Sequence, residues 1–388
     1  MYDDEPMPDR KPDLVVRGGS RDVAIAGGLV ATTAPGGATV LDASGLTVLP
    51  GVIDLQVNGV AGIDLTAEPA RLWEAGAALA SYGVTAWLPT VITSDPDARD
   101  LALETYATGP PAGWQGSVPL GLHFEGPFIA PARKGAHPEQ WLRLPSPELV
   151  EGWSRDAGVL MATVAPELPG AIELVRELVG RGVRVAIGHT DATADDVVAA
   201  VDAGATSLTH LGNAMPPMLA REPGPVGVAL GGTRPDVTRL VAGVIVDGHH
   251  LHPDVVTAMW SALGPSRFLT VSDTTAGLGL PEGRARLGDH EVVVSAGTVR
   301  LVDGTLAGSA AGVLDCLRLL HATTGCSLEE AVATVTTTPA GLVGDPTRGR
   351  LEPGLRGDLT LVDADLQPVV TVVGGQVVHD LRGCEEVC

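Results

Sequence analysis

Eight short apolar runs alternate with helical patterns along most of this chain, and that alternation leaves few folds open to it. The runs end near Asn58, Val91, Glu125, Glu167, His189, His210, Asp247 and Asp273. Helical stretches fall between them, among them 69–82, 97–106, 172–180, 193–203 and 253–263. Apolar strands separated by helices imply parallel pairing through helical crossovers. Eight such runs match the strand number of a TIM-like (β/α)8 barrel. Aromatic residues make up only 3% of the chain, so Val, Leu and Ala must fill the core.

The two ends read differently. Leu14-Val15-Val16, Val23-Ala24-Ile25 and Thr39-Val40-Leu41 are β-type runs broken by glycine. Leu359–Val362 and Val369–Val373 repeat that style near the C-terminus. Both termini are therefore expected to build one small β-sandwich. The expected division is a disordered tail over 1–12, a sandwich from 13–49 and 346–388, and a catalytic barrel over 50–345. Within the barrel, 286–301 reads as an inserted hairpin, with closing helices over 314–323 and 328–336.

A formal charge of −22 argues against nucleic acid and against an anionic membrane surface. Apolar runs such as Leu240–Val246 stay far below the roughly 20 residues of a membrane span. The first residues lack a signal-peptide core, and Cys316, Cys326, Cys384 and Cys388 show no zinc-ribbon or redox spacing. A cytoplasmic, reduced protein is the expectation.

The chemically potent residues gather at the ends of the β-runs, where a barrel assembles its site. Glu125, His189 and His210 make a His₂Glu set suited to a borderline cation, with a fourth position open to water. A single histidine in such a place is commonly a hydrogen-bonded core residue. A carboxylate ending an apolar strand says more, because burying it unpaired costs several kcal/mol. Asp273, at the end of the eighth run, is the candidate general base and acid, with N-capping of the next segment as its plainer role. His123 reads as packing behind Glu125, Glu167 as an anchor rather than a ligand, and His249 and His252 as solvent-facing or structural.

A longer pattern runs through these residues. LGLHFEGPF at 120–128, KGAH at 134–137, GHTDAT at 188–193 and THLGNAMP at 209–216 occur in order. REPG at 221–224, DGHH at 247–250, VSDTTA at 271–276 and LAGS at 306–309 continue it, and PGVIDLQVNG at 50–59 opens it. Together they resemble the N-acetylglucosamine-6-phosphate deacetylases of the amidohydrolase superfamily. The resemblance implies hydrolysis of N-acetyl-D-glucosamine 6-phosphate to D-glucosamine 6-phosphate and acetate, in amino-sugar catabolism and cell-wall recycling. It makes Glu125, His189 and His210 metal ligands and Asp273 the catalytic carboxylate. It places substrate on Ala136, His137, Asn213, Ala214, Arg221, His250, Leu306, Ala307 and Gly308. His137 and His250 are both candidates to polarise the acetyl carbonyl.

Many amidohydrolases carry His-x-His on the first strand, where this chain has Gln56 and Asn58. Amides are poor zinc ligands, so one divalent metal per subunit is expected, Zn²⁺ foremost, with Fe²⁺ or Co²⁺ compatible. Gln56 and Asn58 then stand behind the ligands. In relatives the phosphate pocket lies near a subunit interface, which implies a homodimer in which Arg221 serves a neighbouring site. Three other readings remain open: the galacto epimer as substrate, a cyclic amidohydrolase such as a dihydroorotase, and a sugar-phosphate sensor without turnover.

Overall fold

A computed structural model describes residues 13–232, 234–287 and 290–386. The expected tail over 1–12 and Cys388 lie outside the described residues, and nothing is described of the Cys384 side chain.

The middle of the chain forms the barrel. Its strands are β1 (Val52–Val57), β2 (Val84–Ile92), β3 (Leu122–Glu125), β4 (Val159–Val164), β5 (Arg184–Ile187), β6 (Ser207–Leu208), β7 (Val241–Ile245) and β8 (Phe268–Val271). Neighbours pair in parallel in chain order, β1 on β2 through to β7 on β8. A parallel bridge from Val57 to Thr274 brings the eighth strand back to the first. The interior holds Ile53, Leu55, Ala86, Leu88, Met161, Ala186, Ile245, Leu269 and Val271, small and aliphatic as the low aromatic content requires.

Crossover helices follow the expected stretches closely, with helix 253–263 running Pro253–Leu263. Their starts are written in the sequence: Thr193 and Asp196 cap helix Ala194–Asp202 reciprocally, and Ser327 and Glu330 do so for Leu328–Ala333. Two helices escape that reading. Gly224–Gly231 is glycine-rich and Thr337–Val343 contains Pro339, so weak local propensity is overridden by packing.

The sandwich joins both ends of the chain. Strands within 14–42 form one four-stranded sheet, and Thr47–Pro50 pairs with Leu359–Val362 in the other. Leu14, Val16 and Ile25 share one core with Leu359, Leu361 and Val370.

The insertion after β8 is larger than a hairpin. Gly283–Leu287, His290–Ser295, Thr298–Leu301 and Leu306–Ser309 make a four-stranded antiparallel sheet. The turn at Asp303-Gly304 hides the last strand from a reading by apolar runs. That strand matters most, because Ser309 bridges to Thr274 beside the barrel mouth. Among the described residues no helix is long and apolar enough to cross a membrane.

Candidate active site

Glu125 is the last residue of β3 and is 2% exposed. His189 and His210 each sit two residues beyond their strands, β5 and β6. Glu125 Oε1 lies 3.1 Å from His189 Nε2 and 3.0 Å from His210 Nε2, and the two Nε2 atoms are 3.0 Å apart. The three donor atoms thus form a nearly equilateral triangle. Tetrahedral zinc with bonds of about 2.0–2.2 Å spans edges of roughly 3.3–3.6 Å, so the triangle is close to the size of one face.

Protonation points the same way. His189 Nδ1 lies 2.8 Å from the Arg133 carbonyl, which can only accept, so that nitrogen carries the proton. In the neutral ring, Nε2 then turns a lone pair toward a carboxylate oxygen. Such a contact is repulsive unless a second proton or a cation lies between the two. Burial alone would lower the His210 ring, but Glu125 outweighs it and lifts His210 to about 8. Burial would likewise raise Glu125, yet the close contacts with His189 and His210 hold it well below the usual carboxylate range. The cluster is short of positive charge, and a divalent cation fits it.

Beside the triangle stands Asp273. Asn58 Nδ2 donates to its Oδ1 at 2.8 Å and Gln56 Nε2 at 3.0 Å, while no described residue donates to its Oδ2. Gln56 Nε2 also lies 3.4 Å from both oxygens of Glu125. The two amides therefore brace the carboxylates. Burial and the nearby Glu125 charge push the Asp273 carboxyl above its ordinary value.

Behind this layer lies Asp54, which the sequence reading missed. It accepts from Ser272 Oγ at 2.5 Å and from the Gln56 backbone at 3.2 Å, tying β1 to the end of β8. Burial pushes it up to about 7. Its place two residues before Gln56, inside an otherwise apolar strand, was the available signal.

Two more histidines border the site with opposite polarity. The Thr93 N–H donates to His137 Nδ1 at 3.4 Å, leaving the His137 proton on Nε2. Burial, then the neighbouring His189, keeps that ring neutral by depressing it well below its ordinary value. His250 Nδ1 donates to Asp247 Oδ2 at 2.6 Å, and that bond holds Asp247 down to about 2 against the upward pull of burial. His123 is occupied elsewhere: Thr90 and Thr163 hydroxyls meet its two nitrogens at 3.3 and 2.8 Å. Glu167 bonds Thr190 Oγ1 and the Asp191 N–H, which anchors the segment carrying His189. His249 and His252 are exposed.

A cavity of about 920 Å³ opens over these groups. It brings together Glu125, His189, His210, Asp273, Asn58, Ala136, His137, Asn213, Ala214, His250 and Leu306–Gly308. The His137 and Asn213 N–H groups are already bonded to Lys134 and His210 carbonyls at 2.9 Å. Those of Ala136 and Ala214 have no partner among the described residues. Arg221 is exposed on the segment after the sixth strand and does not line the cavity. Gln56 is buried and reaches the cavity's edge only through the carboxylates it bonds.

The family profile for amidohydrolases matches residues 47–378. The chain belongs to the amidohydrolase family. Rat N-acetylglucosamine-6-phosphate deacetylase is 35% identical over 348 residues, covering 87% of this chain and 84% of the relative. A Shewanella N-acetylgalactosamine-6-phosphate deacetylase is 33% identical over 338 residues, covering 86% and 83%. A solved mutant of the N-acetyl-D-glucosamine-6-phosphate deacetylase of Mycobacterium smegmatis, in complex with N-acetyl-D-glucosamine-6-phosphate, superposes with a TM-score of 0.81 at 34% identity, covering 95% of this chain and 100% of that one. This amidohydrolase therefore shares both barrel and sandwich with sugar-phosphate deacetylases along nearly their whole length.

Proposed function

We propose that the protein hydrolyses N-acetyl-D-glucosamine 6-phosphate to D-glucosamine 6-phosphate and acetate. The observation carrying this reading is a carboxylate, Asp273, braced by two amides beside a Glu-His-His triangle within one cavity. Amide hydrolysis needs a water deprotonated, a carbonyl polarised and a proton returned to the amine.

Glu125, His189 and His210 would hold one divalent cation, Zn²⁺ in our assignment, which lowers the pKa of water and polarises an acyl oxygen. Asp273 takes the proton as the water oxygen bonds to the acetyl carbon. It then delivers that proton to the sugar nitrogen as the C–N bond breaks. His137 supplies an N–H donor through Nε2 and steadies the oxygen that gains charge. His250 has its Nδ1 committed to Asp247, which leaves Nε2 for a sugar hydroxyl. The unspent N–H groups of Ala136 and Ala214 suit the sugar phosphate, and the Leu306–Gly308 strand walls the cavity.

We assign Arg221 to the phosphate of a neighbouring subunit in a homodimer. It is exposed, and Met218 and Leu219 beside it are 56% and 53% exposed, an apolar surface that a second subunit would cover. Cys316 and Cys326 are buried free thiols, which suits the cytoplasm.

Acetate release by the purified, metal-loaded protein tests the proposal on the gluco and galacto 6-phosphates side by side. The gluco substrate is expected to give the higher kcat/KM, by about tenfold or more. Higher kcat/KM for the galacto epimer would reassign the sugar. Release from neither, with metal bound, would end the hydrolase reading.

A further inference from the structure

A second cavity lies at the opposite end of the barrel, where the strands begin. Its volume is about 470 Å³, in the range of small-molecule pockets. Arg184, the first residue of β5, and Arg239, just before β7, line it with the hydroxyl residues Thr206, Ser266 and Thr337. No carboxylate is among its lining residues.

That composition is unusual for a chain of charge −22. Elsewhere its arginines commonly meet carboxylates, as Arg133 does with Asp191 at 2.8 Å and Arg348 with Asp358 at 3.2 Å. The side chains of Arg184 and Arg239 make no ion pair or hydrogen bond among the described residues. Arg184 Nε and Thr206 Oγ1 are buried without a hydrogen-bond partner. Helix Thr337–Val343 ends at Gly344, where an added Cβ would lie 3.0 Å from Arg184 Nη2. Its dipole offsets part of the charge but supplies no hydrogen bond. A half-buried guanidinium left this way costs free energy, and an anion meeting its Nη atoms, which are not closed off as Nε is, would recover part of it.

We propose that this pocket binds a phosphate group, either inorganic phosphate or the end of a small phosphomonoester. Two planar guanidinium forks with hydroxyls and no opposing carboxylate match a tetrahedral dianion. The site is separate from the catalytic mouth. Its walls are the starts of β5 to β8, whose far ends lead to His189, His210, His250 and Asp273.

Equilibrium dialysis of the metal-loaded full chain against labelled inorganic phosphate tests the proposal, with glycerol 3-phosphate in a parallel arm. Arg239 is exposed, so Arg239→Glu is not expected to disturb folding. That variant should lose one bound phosphate per chain, Arg239→Lys should keep it, and both should release acetate at the parent rate. Tighter binding of glycerol 3-phosphate would name the monoester as ligand, and tighter binding of phosphate the free ion. Equal phosphate binding by parent and Arg239→Glu would overturn the site. Because the readout is the phosphate lost with Arg239, it stands apart from the fate of the catalytic reading.

Discussion

Asp273→Asn is the sharpest perturbation of the proposed chemistry, because the structure isolates the charge from everything else. Asp273 has φ +49, a left-handed conformation that Asn tolerates as well as Asp does. An asparagine oxygen can still accept from Gln56 and Asn58, whose amides now lie 3.0 and 2.8 Å from Oδ1. Alanine would leave both amides unpaired in a buried layer and confuse stability with catalysis. With Asn only the proton-transfer capacity goes. Positioned acid–base groups contribute about 10²–10⁴, and here one carboxylate serves both transfers. A fall in kcat of roughly 10³–10⁴ is expected, equivalent to about 4–5.5 kcal/mol of barrier. The assay is acetate release at saturating substrate, with metal content and melting temperature measured on the same sample. A variant that keeps its metal and retains more than a tenth of the parent kcat would refute the assignment.

Glu125→Gln should fold and yet lose its metal on dialysis, because the triangle keeps two imidazoles but no charge; elemental analysis giving one metal per chain would contradict it. Gly308→Ala places a Cβ 2.5 Å from Thr275 Cγ2 and 3.3 Å from the Asp273 carbonyl, at φ +109. Its kcat/KM should drop about tenfold or more from displaced backbone at the site, with strain of about 1–3 kcal/mol showing as a lower melting temperature; parent-like kinetics would count against a role for that strand. Asp54→Asn bears on pH. The native carboxyl, raised to about 7, keeps a proton that the unfolded chain loses near 3.8, so parent stability falls as pH rises between those values. The neutral variant lacks that loss and should gain up to about 4 kcal/mol on the parent across the whole window. Urea unfolding at pH 5 and pH 8 with an unchanged difference would show that Asp54 does not titrate as its burial implies.

The barrel was legible because its signal is redundant. Strand ends and helical stretches alternate along most of the chain, with capping side chains at four of the helices, and one weak element does not hide the rest. The direction of the ligands was less legible. Val185 and Ile187 of β5, and Leu208 of β6, face the outer core between strands and helices. Continued pleating would send His189 and His210 the same way, since residues two apart share a face. Both histidines instead adopt left-handed backbone, φ +47 and +28, which ends the alternation where the imidazoles turn toward the mouth. Neither is glycine or asparagine, so local sequence carries no sign of that turn. Asp273 shares that left-handed backbone, φ +49, although Leu269 and Val271 before it already point into the barrel. Asp54 was hidden for another reason: its partner, Ser272, lies 218 residues away just past the eighth strand, and nothing in the sequence joins the two.

The acidity of the chain and the anionic substrate proposed for it are reconciled by distance. Arg133 and Lys134 border the cavity but are engaged by Asp191 at 2.8 Å and Glu139 at 3.9 Å, so they add little net positive charge there. Attraction must come from groups in direct contact, namely the proposed cation site, the free Ala136 and Ala214 N–H groups and the Arg221 that we assign to a neighbouring subunit. Surface carboxylates lying beyond about 8 Å are largely screened at physiological salt, whereas contacts at hydrogen-bond distance are not. A fold that gathers backbone donors and a metal at one mouth can therefore bind a phosphate while its exterior stays strongly negative. The same reasoning explains why net charge, read from composition, excludes extended polyanions as partners but says nothing against a small one that fits within the barrel rim.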